Sequence, residues 1–265
     1  MKVLAIARNT YKETARQPIY YILLSLSAAL IGLSFFFTLF AFGEEAKMIK
    51  DMSLATITLC GLLMALFASA NVITEEIDKK TVLTVLCKPV RRYEFILGKF
   101  LGIVMAVLLA TVMLSLVLMA GLAVFAKVQK EVEVQPFDYV VLAGALLSCL
   151  QVFVLTAIAV AVSTRMPMVV NVVVCFSVYI LGHLTNYLHQ TFAGASGEGH
   201  ALVRGVVNAL YIVLPNLENF NVASAIALGS SVSVSYVLVT LAYAVAYTAI
   251  ALLLGIALFQ EREVM

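Results

Sequence analysis

Uncharged apolar runs alternate with short charged segments along the whole chain. The runs cover residues 19–42, 52–74, 100–126, 139–164 and 168–188. A last uncharged stretch, 219–260, is longer than one crossing needs, and its helix is placed at about 232–259. A helix requires about 20 apolar residues to cross roughly 30 Å of hydrocarbon. Six segments meet that length, and all 32 Lys, Arg, Asp and Glu residues lie outside them. The runs are continuous and lack the alternation of a membrane strand. The pattern predicts an all-α integral membrane protein with six transmembrane helices, forming one domain over residues 1–265.

Composition agrees. Of the 265 residues, 63% are hydrophobic and 12% charged, and the mean hydropathy is +1.05. A soluble domain carries about twice that share of charge, so a soluble enzyme is excluded. The net charge of +2 points to no nucleic-acid partner. Cys60, Cys87, Cys149 and Cys175 are far apart and form no C-x-x-C, which argues against a disulfide framework or a zinc site.

The basic residues orient the spans. With the N-terminus in the cytoplasm, twelve Lys and Arg fall in inner segments and five in outer ones. Cytoplasmic loops of membrane proteins carry the excess of Lys and Arg. Both termini are therefore expected in the cytoplasm, and the location expected is the plasma (inner) membrane. The first run is too long for the apolar core of a cleavable signal, and no A-x-A-like site follows it.

Ahead of the first span, Arg8, Lys12 and Arg16 recur every fourth residue and share one helical face. Leu4, Ala7, Tyr11 and Ala15 share another. A helix with one basic and one apolar face suits the membrane interface, and Pro18 allows a bend into the first crossing.

The loop between spans two and three, residues 75–99, concentrates ten of the 32 formal charges around a short apolar run, 81–87, of sequence TVLTVLC. Glu75, Glu76 and Asp78 precede the run and Lys88 follows it, an order that suits a helix dipole. Pro89 ends the helix. A two-turn apolar helix in a charged loop needs cover. Its own bundle, the lipid interface or a groove on a soluble partner could each provide it.

Between spans five and six, residues 189–231 contain a glycine-rich turn and then a stretch too apolar for a solvated loop and too broken for a clean span. Short outer helices against the bundle are expected before the last span. A seventh span is the competing reading.

Catalytic chemistry is not visible. Gly98-Lys99 is followed by Phe100, so the Ser or Thr of a phosphate-binding loop is missing. H-E-x-x-H and G-x-S-x-G are absent. No carboxylate lies within an apolar run, whereas ion-coupled carriers usually hold ionisable groups there. His183 is the one titratable candidate of that kind, and such a residue more often hydrogen-bonds between helices than relays protons. Gln151 and Asn171 could line a substrate path or bond between helices. Gly98-x-x-x-Gly102 permits close helix approach at the membrane edge. A self-sufficient carrier or channel is the alternative reading, with the lack of membrane-embedded charge weighing against the carrier form; the lack of a clustered nucleophile, metal ligands or carboxylates weighs against an intramembrane enzyme.

The charged loop resembles the permease subunits of ABC-2 type exporters. The resemblance rests on Glu75 or Glu76, Thr81, Leu86, Pro89, Arg91 or Arg92, Phe95 and Lys99. That family often places Gly before the Thr, where Lys80 stands here. The order of elements is similar throughout, most of all to the compact six-span subgroup that includes the permease of nitrous-oxide-reductase maturation systems. The resemblance implies that residues 81–87 form a coupling helix. Its docking surface on a separate ATP-binding subunit would comprise Glu75, Glu76, Thr81, Val82, Leu83, Val85, Leu86, Pro89 and Arg92. That partner would bind ATP and magnesium, so no cofactor is expected in this chain. The resemblance further implies a homodimer with a substrate path behind spans two and five. Asn71 and Asn171 would be gate residues there, and Gln151 and His183 would lie along the path.

Overall fold

The computed structural model describes residues 2–37, 43–74, 91–128, 139–193, 201–222, 225–226 and 232–260. Among these residues every regular element is helical. In chain order they are α1 (Lys2–Ala15), α2 (Pro18–Ser34), α3 (Glu45–Ser69), α4 (Arg92–Val128), α5 (Tyr139–Ser163), α6 (Met168–Ala193), α7 (Ala201–Val213) and α8 (Val234–Gln260). A π-helical turn, Ala70–Thr74, continues α3, and a 3-10 turn, Leu217–Phe220, follows α7.

Five helices are long and apolar enough to cross a membrane: α3 with its π turn, α4, α5, α6 and α8. The pair α1 and α2 adds a sixth candidate, bent by 64°. Pro18 sits in the first turn of α2, where its missing N–H costs nothing. The chain is thus a multi-pass, all-α membrane protein. Two helices begin before their apolar runs do. α3 starts at Glu45 and carries Lys47, Lys50 and Asp51, while α4 starts at Arg92 and carries Lys99. Helix geometry tolerates charges in these first turns because the ends reach past the hydrocarbon.

α5 is central and packs on α3, α4, α6 and α8. Leu54, Ile57, Leu147, Val154 and Phe220 belong to one apolar core, and Ala65, Ile73, Phe95, Val160 and Phe259 to a second. On α4, Leu101, Met105, Leu108 and Val112 are exposed. Their spacing of three and four places them on one helix face, as hydrocarbon contact requires.

One end of the bundle is basic. The Arg92 guanidinium donates to the carbonyls of Phe259 (3.1 Å) and Gln260 (2.8 Å). Arg165 Nε donates to the carbonyl of Leu258 at 3.2 Å. These are orphan carbonyls of the last turn of α8, where cations also meet the negative end of the helix dipole. Phe95 and Phe259 stack beneath them at 5.9 Å. The start of α4, the α5–α6 turn, the end of α8 and all of α1 gather at this basic end.

Candidate functional site: a polar seam between α3 and α6

At the far end of the bundle a cavity of about 530 Å³ lies between α3, α5 and α6. Asp51, Leu54, Ala55 and Thr58 line it from α3. Their offsets of three, four and seven put all four on one face. Ser148 and Gln151 come from α5, and Tyr179, Ile180, His183 and Leu184 from α6. Phe220, Asn221, Val222 and Ile226 close a further side. The volume lies within the range of small-molecule sites.

A hydrogen-bonded chain crosses this cavity. Gln151 Nε2 stands 2.8 Å from His183 Nε2, and His183 Nδ1 stands 3.4 Å from Glu218 Oε2. Asn221 Nδ2 donates to Glu218 Oε1 at 3.2 Å. With the Gln151 amide nitrogen as donor, the imidazole accepts at Nε2 and carries its proton at Nδ1, where it donates to the carboxylate. Gln151 is only 3% exposed, so satisfying its amide inside the bundle matters. Three elements are joined in this way: α5, α6 and the 3-10 turn.

Toward the basic end the seam closes. Asn171 is fully buried, and its Nδ2 donates to Ser69 Oγ at 3.3 Å. Cys175 Sγ donates to Asn171 Oδ1 at 3.4 Å. Here α6 touches the end of α3, whereas the cavity separates the two helices at the far end. The seam is therefore shut at one end and hollow at the other. Asn71 sits apart from it. It lies in the π turn and donates through Nδ2 to Gln17 Oε1 at 3.3 Å. The structure thus brings Gln151 and His183 together, sets Asn171 below them as a helix–helix contact, and leaves Asn71 at the α1–α2 junction.

Of the residues expected to dock a partner, Glu75, Glu76, Thr81, Val82, Leu83, Val85, Leu86 and Pro89 lie outside the described residues. Arg92 lies inside them, where its guanidinium caps α8. Both stems of that loop are described; the α1–α2 junction is bonded to one and α1 to the other. On the α3 side the link is Asn71 to Gln17. On the α4 side, Lys99 Nζ pairs with Glu13 Oε2 at 3.6 Å and lies 5.6 Å from the Phe95 ring centre.

The glycines of Gly98-x-x-x-Gly102 form the seat for α1. A Cβ on Gly98 would fall 2.7 Å from Ile6 Cβ, and one on Gly102 would fall 2.6 Å from the Ala7 carbonyl oxygen. The inward face of α1 overlaps its apolar stripe only in part, at Ala7 and Tyr11. Ala7, Thr10 and Thr14 are buried, while Leu4 is 74% exposed. The glycine groove receives Ile6 at Gly98 and Ala7 and Thr10 at Gly102. The Thr10, Thr14 and Thr74 hydroxyls have no hydrogen-bond partner in this junction, an unusual concentration of unsatisfied polar atoms.

Asp51, which lines the cavity, and Glu218, which bonds to His183, were not singled out by sequence. Asp51 reads as a loop-edge charge, and Glu218 lies in the broken stretch before the last span. Among the described residues no group of three or more His, Cys, Asp and Glu is arranged to hold a metal ion.

The sequence model of the ABC-2 family transporter proteins matches residues 5–264, nearly the whole chain. No curated protein matches it. The chain belongs to the ABC-2 transporter family and is a membrane permease subunit of that type.

Proposed function

We propose that this chain is the permease of an exporter powered by a separate ATP-binding subunit, which carries the ATP and magnesium. The partner docks on the loop whose apolar run is 81–87, with Leu86 facing its groove. The basic end of the bundle is the cytoplasmic one, in keeping with the excess of Lys and Arg in its loops. Two copies assemble, and the α3–α6 seam of each contributes to the substrate path. Val169, Val173, Phe176 and Ile180 supply α6 with an exposed apolar face suited to a second copy. Within the family the chain is placed with the compact six-span permeases that resemble those of nitrous-oxide-reductase maturation.

The observation that carries this reading is the attachment of α1 and its junction with α2 to both stems of the docking loop, through Lys99–Glu13 on α1 and Asn71–Gln17 at the junction. A push on the loop reaches α1, the end of α3 and the start of α4 together. The end of α3 holds Ser69, the partner of Asn171 in the closed part of the seam. ATP-driven closure of two nucleotide-binding subunits thereby has a direct route to that contact.

Co-purification tests the docking. The tagged permease is expressed with its candidate ATP-binding subunit, as wild type, Leu86→Asp and Glu75→Ala. The partner is expected to be retained by Glu75→Ala and lost by Leu86→Asp, because a carboxylate in an apolar groove is left desolvated and unpaired. Equal retention by both variants would overturn docking through the apolar face.

A further inference from the structure

The far-end cavity has a chemical character that names a ligand class. Its walls mix apolar side chains with hydrogen-bond acceptors, and among the described residues no Lys or Arg lines it. Asp51 is the one fully charged lining residue and has no ion-pair partner among the described residues. Lys47, one turn earlier on the same helix, is engaged by Glu44 at 2.7 Å. Deeper in, the nine-tenths-buried Gln151 spends its amide nitrogen on His183. Its amide oxygen remains available to the cavity as an acceptor. The Thr58 hydroxyl gives its proton to the Leu54 carbonyl at 3.0 Å and so presents lone pairs as well. Glu218 adds a second carboxylate behind His183. The rings of Tyr179 and Phe220 complete the lining, and aromatic faces attract cations.

We infer that this cavity binds a protonated organic amine with an apolar body. The ammonium group meets the Asp51 carboxylate, and a hydrogen-bond donor further along the molecule meets the acceptors of Thr58 and Gln151. Asp51 and Thr58 stand about 10 Å apart along α3 at 1.5 Å per residue, so a ligand spanning both is a small amphipathic molecule. Its apolar part lies against Leu54, Ile180 and Leu184. An anion meets no cationic side chain here, and a neutral apolar molecule leaves the buried acceptors without donors.

The inference deepens the permease reading by giving its substrate class, yet its test needs no partner subunit. The probe is monodansylcadaverine, a fluorescent primary amine, with its N-acetyl derivative as the uncharged comparison. Binding to the full-length permease in phosphatidylcholine nanodiscs is followed by dansyl emission, against empty nanodiscs. The amine is expected to bind at least tenfold more tightly than the acetylated form. Asp51→Asn is expected to remove most of that preference. Ala55→Met, which pushes a longer side chain into the cavity from an exposed position, is expected to weaken both probes. Asp51 is also exposed, so Asp51→Asn leaves the core intact. Equal binding of the two probes, or an unchanged preference in Asp51→Asn, would overturn the inference. Either result would leave partner docking, read by co-purification, untouched.

Discussion

Lys99 Nζ lies 3.6 Å from Glu13 Oε2, with the lysine side chain 4% exposed and the glutamate 38%. This pair fastens α1 to α4 at the end of the charged segment 75–99. Removing one partner of a buried pair costs more than replacing the buried charge by an apolar group of similar shape. Because Glu13 is part-exposed and water screens the pair, Glu13→Ala is expected to lower stability by up to about 1 kcal/mol. Lys99→Met keeps the stem packed on Phe95 without the charge and is expected to cost less. Thermal unfolding in nanodiscs compares the two, and a larger loss in Lys99→Met would contradict the assignment.

The glycine seat yields a second expectation. A Cβ at Gly102 would stand 2.5 Å from Thr10 Cβ and 2.6 Å from a backbone oxygen, while Gly32 has open space around it. Gly102→Ala is expected to displace α1 and to cost about 1–3 kcal/mol, as overpacking does. Gly32→Ala is expected to be neutral, or stabilising by up to about 1 kcal/mol through helix propensity. Limited proteolysis after Lys12 and Arg16 reports the displacement. Faster cleavage in Gly102→Ala alone is the expected result.

Arg92 and Arg165 converge on the last carbonyls of α8. Each hydrogen bond of this kind is worth about 1 kcal/mol. Arg92→Ala with Arg165→Ala is expected to fray the last turn of α8, with faster amide exchange at 257–260 and unchanged exchange at mid-helix. Unaltered exchange at those residues would show that the caps do not hold the end.

The Gln151–His183 contact is expected to be modestly cooperative. Polar contacts between membrane helices average about 0.6 kcal/mol in double-mutant cycles. Gln151→Leu, His183→Leu and the double variant should give a coupling of that order. His183→Leu should also speed exchange in the turn 217–220, which Glu218 ties to the imidazole. A coupling of zero would mean that the pair is not formed in the membrane.

Much of this architecture was legible from charge gaps alone, because hydrocarbon excludes charges and fixes the length of each crossing. The helix ends were less so. α3 runs back through Lys47, Lys50 and Asp51, since a helix continues into the interface beyond the apolar run that marks it. The residues of α1 that turn to the bundle, Ala7, Thr10 and Thr14, follow from the seat at Gly98 and Gly102, which the apolar stripe with Leu4 does not mark. Gln151 and His183 stood out as polar residues in apolar runs. Their pairing spans 32 residues and the link to Glu218 spans 35, so only packing of α5, α6 and the 3-10 turn reveals it. Asp51 became a site residue through its helix face, shared with Thr58, which no charge pattern announces.

On the proposed function, nucleotide bound by a separate subunit moves the α3–α6 seam through the docking loop. Spin labels at Ala55 and Leu184, on opposite cavity walls, measure it in a cysteine-free, fully assembled complex. The distance between them is expected to change when ATP binds, and to stay fixed with ATP when the permease carries Leu86→Asp. A nucleotide response that survives Leu86→Asp, or an intact assembly whose distance ignores ATP, would contradict the account.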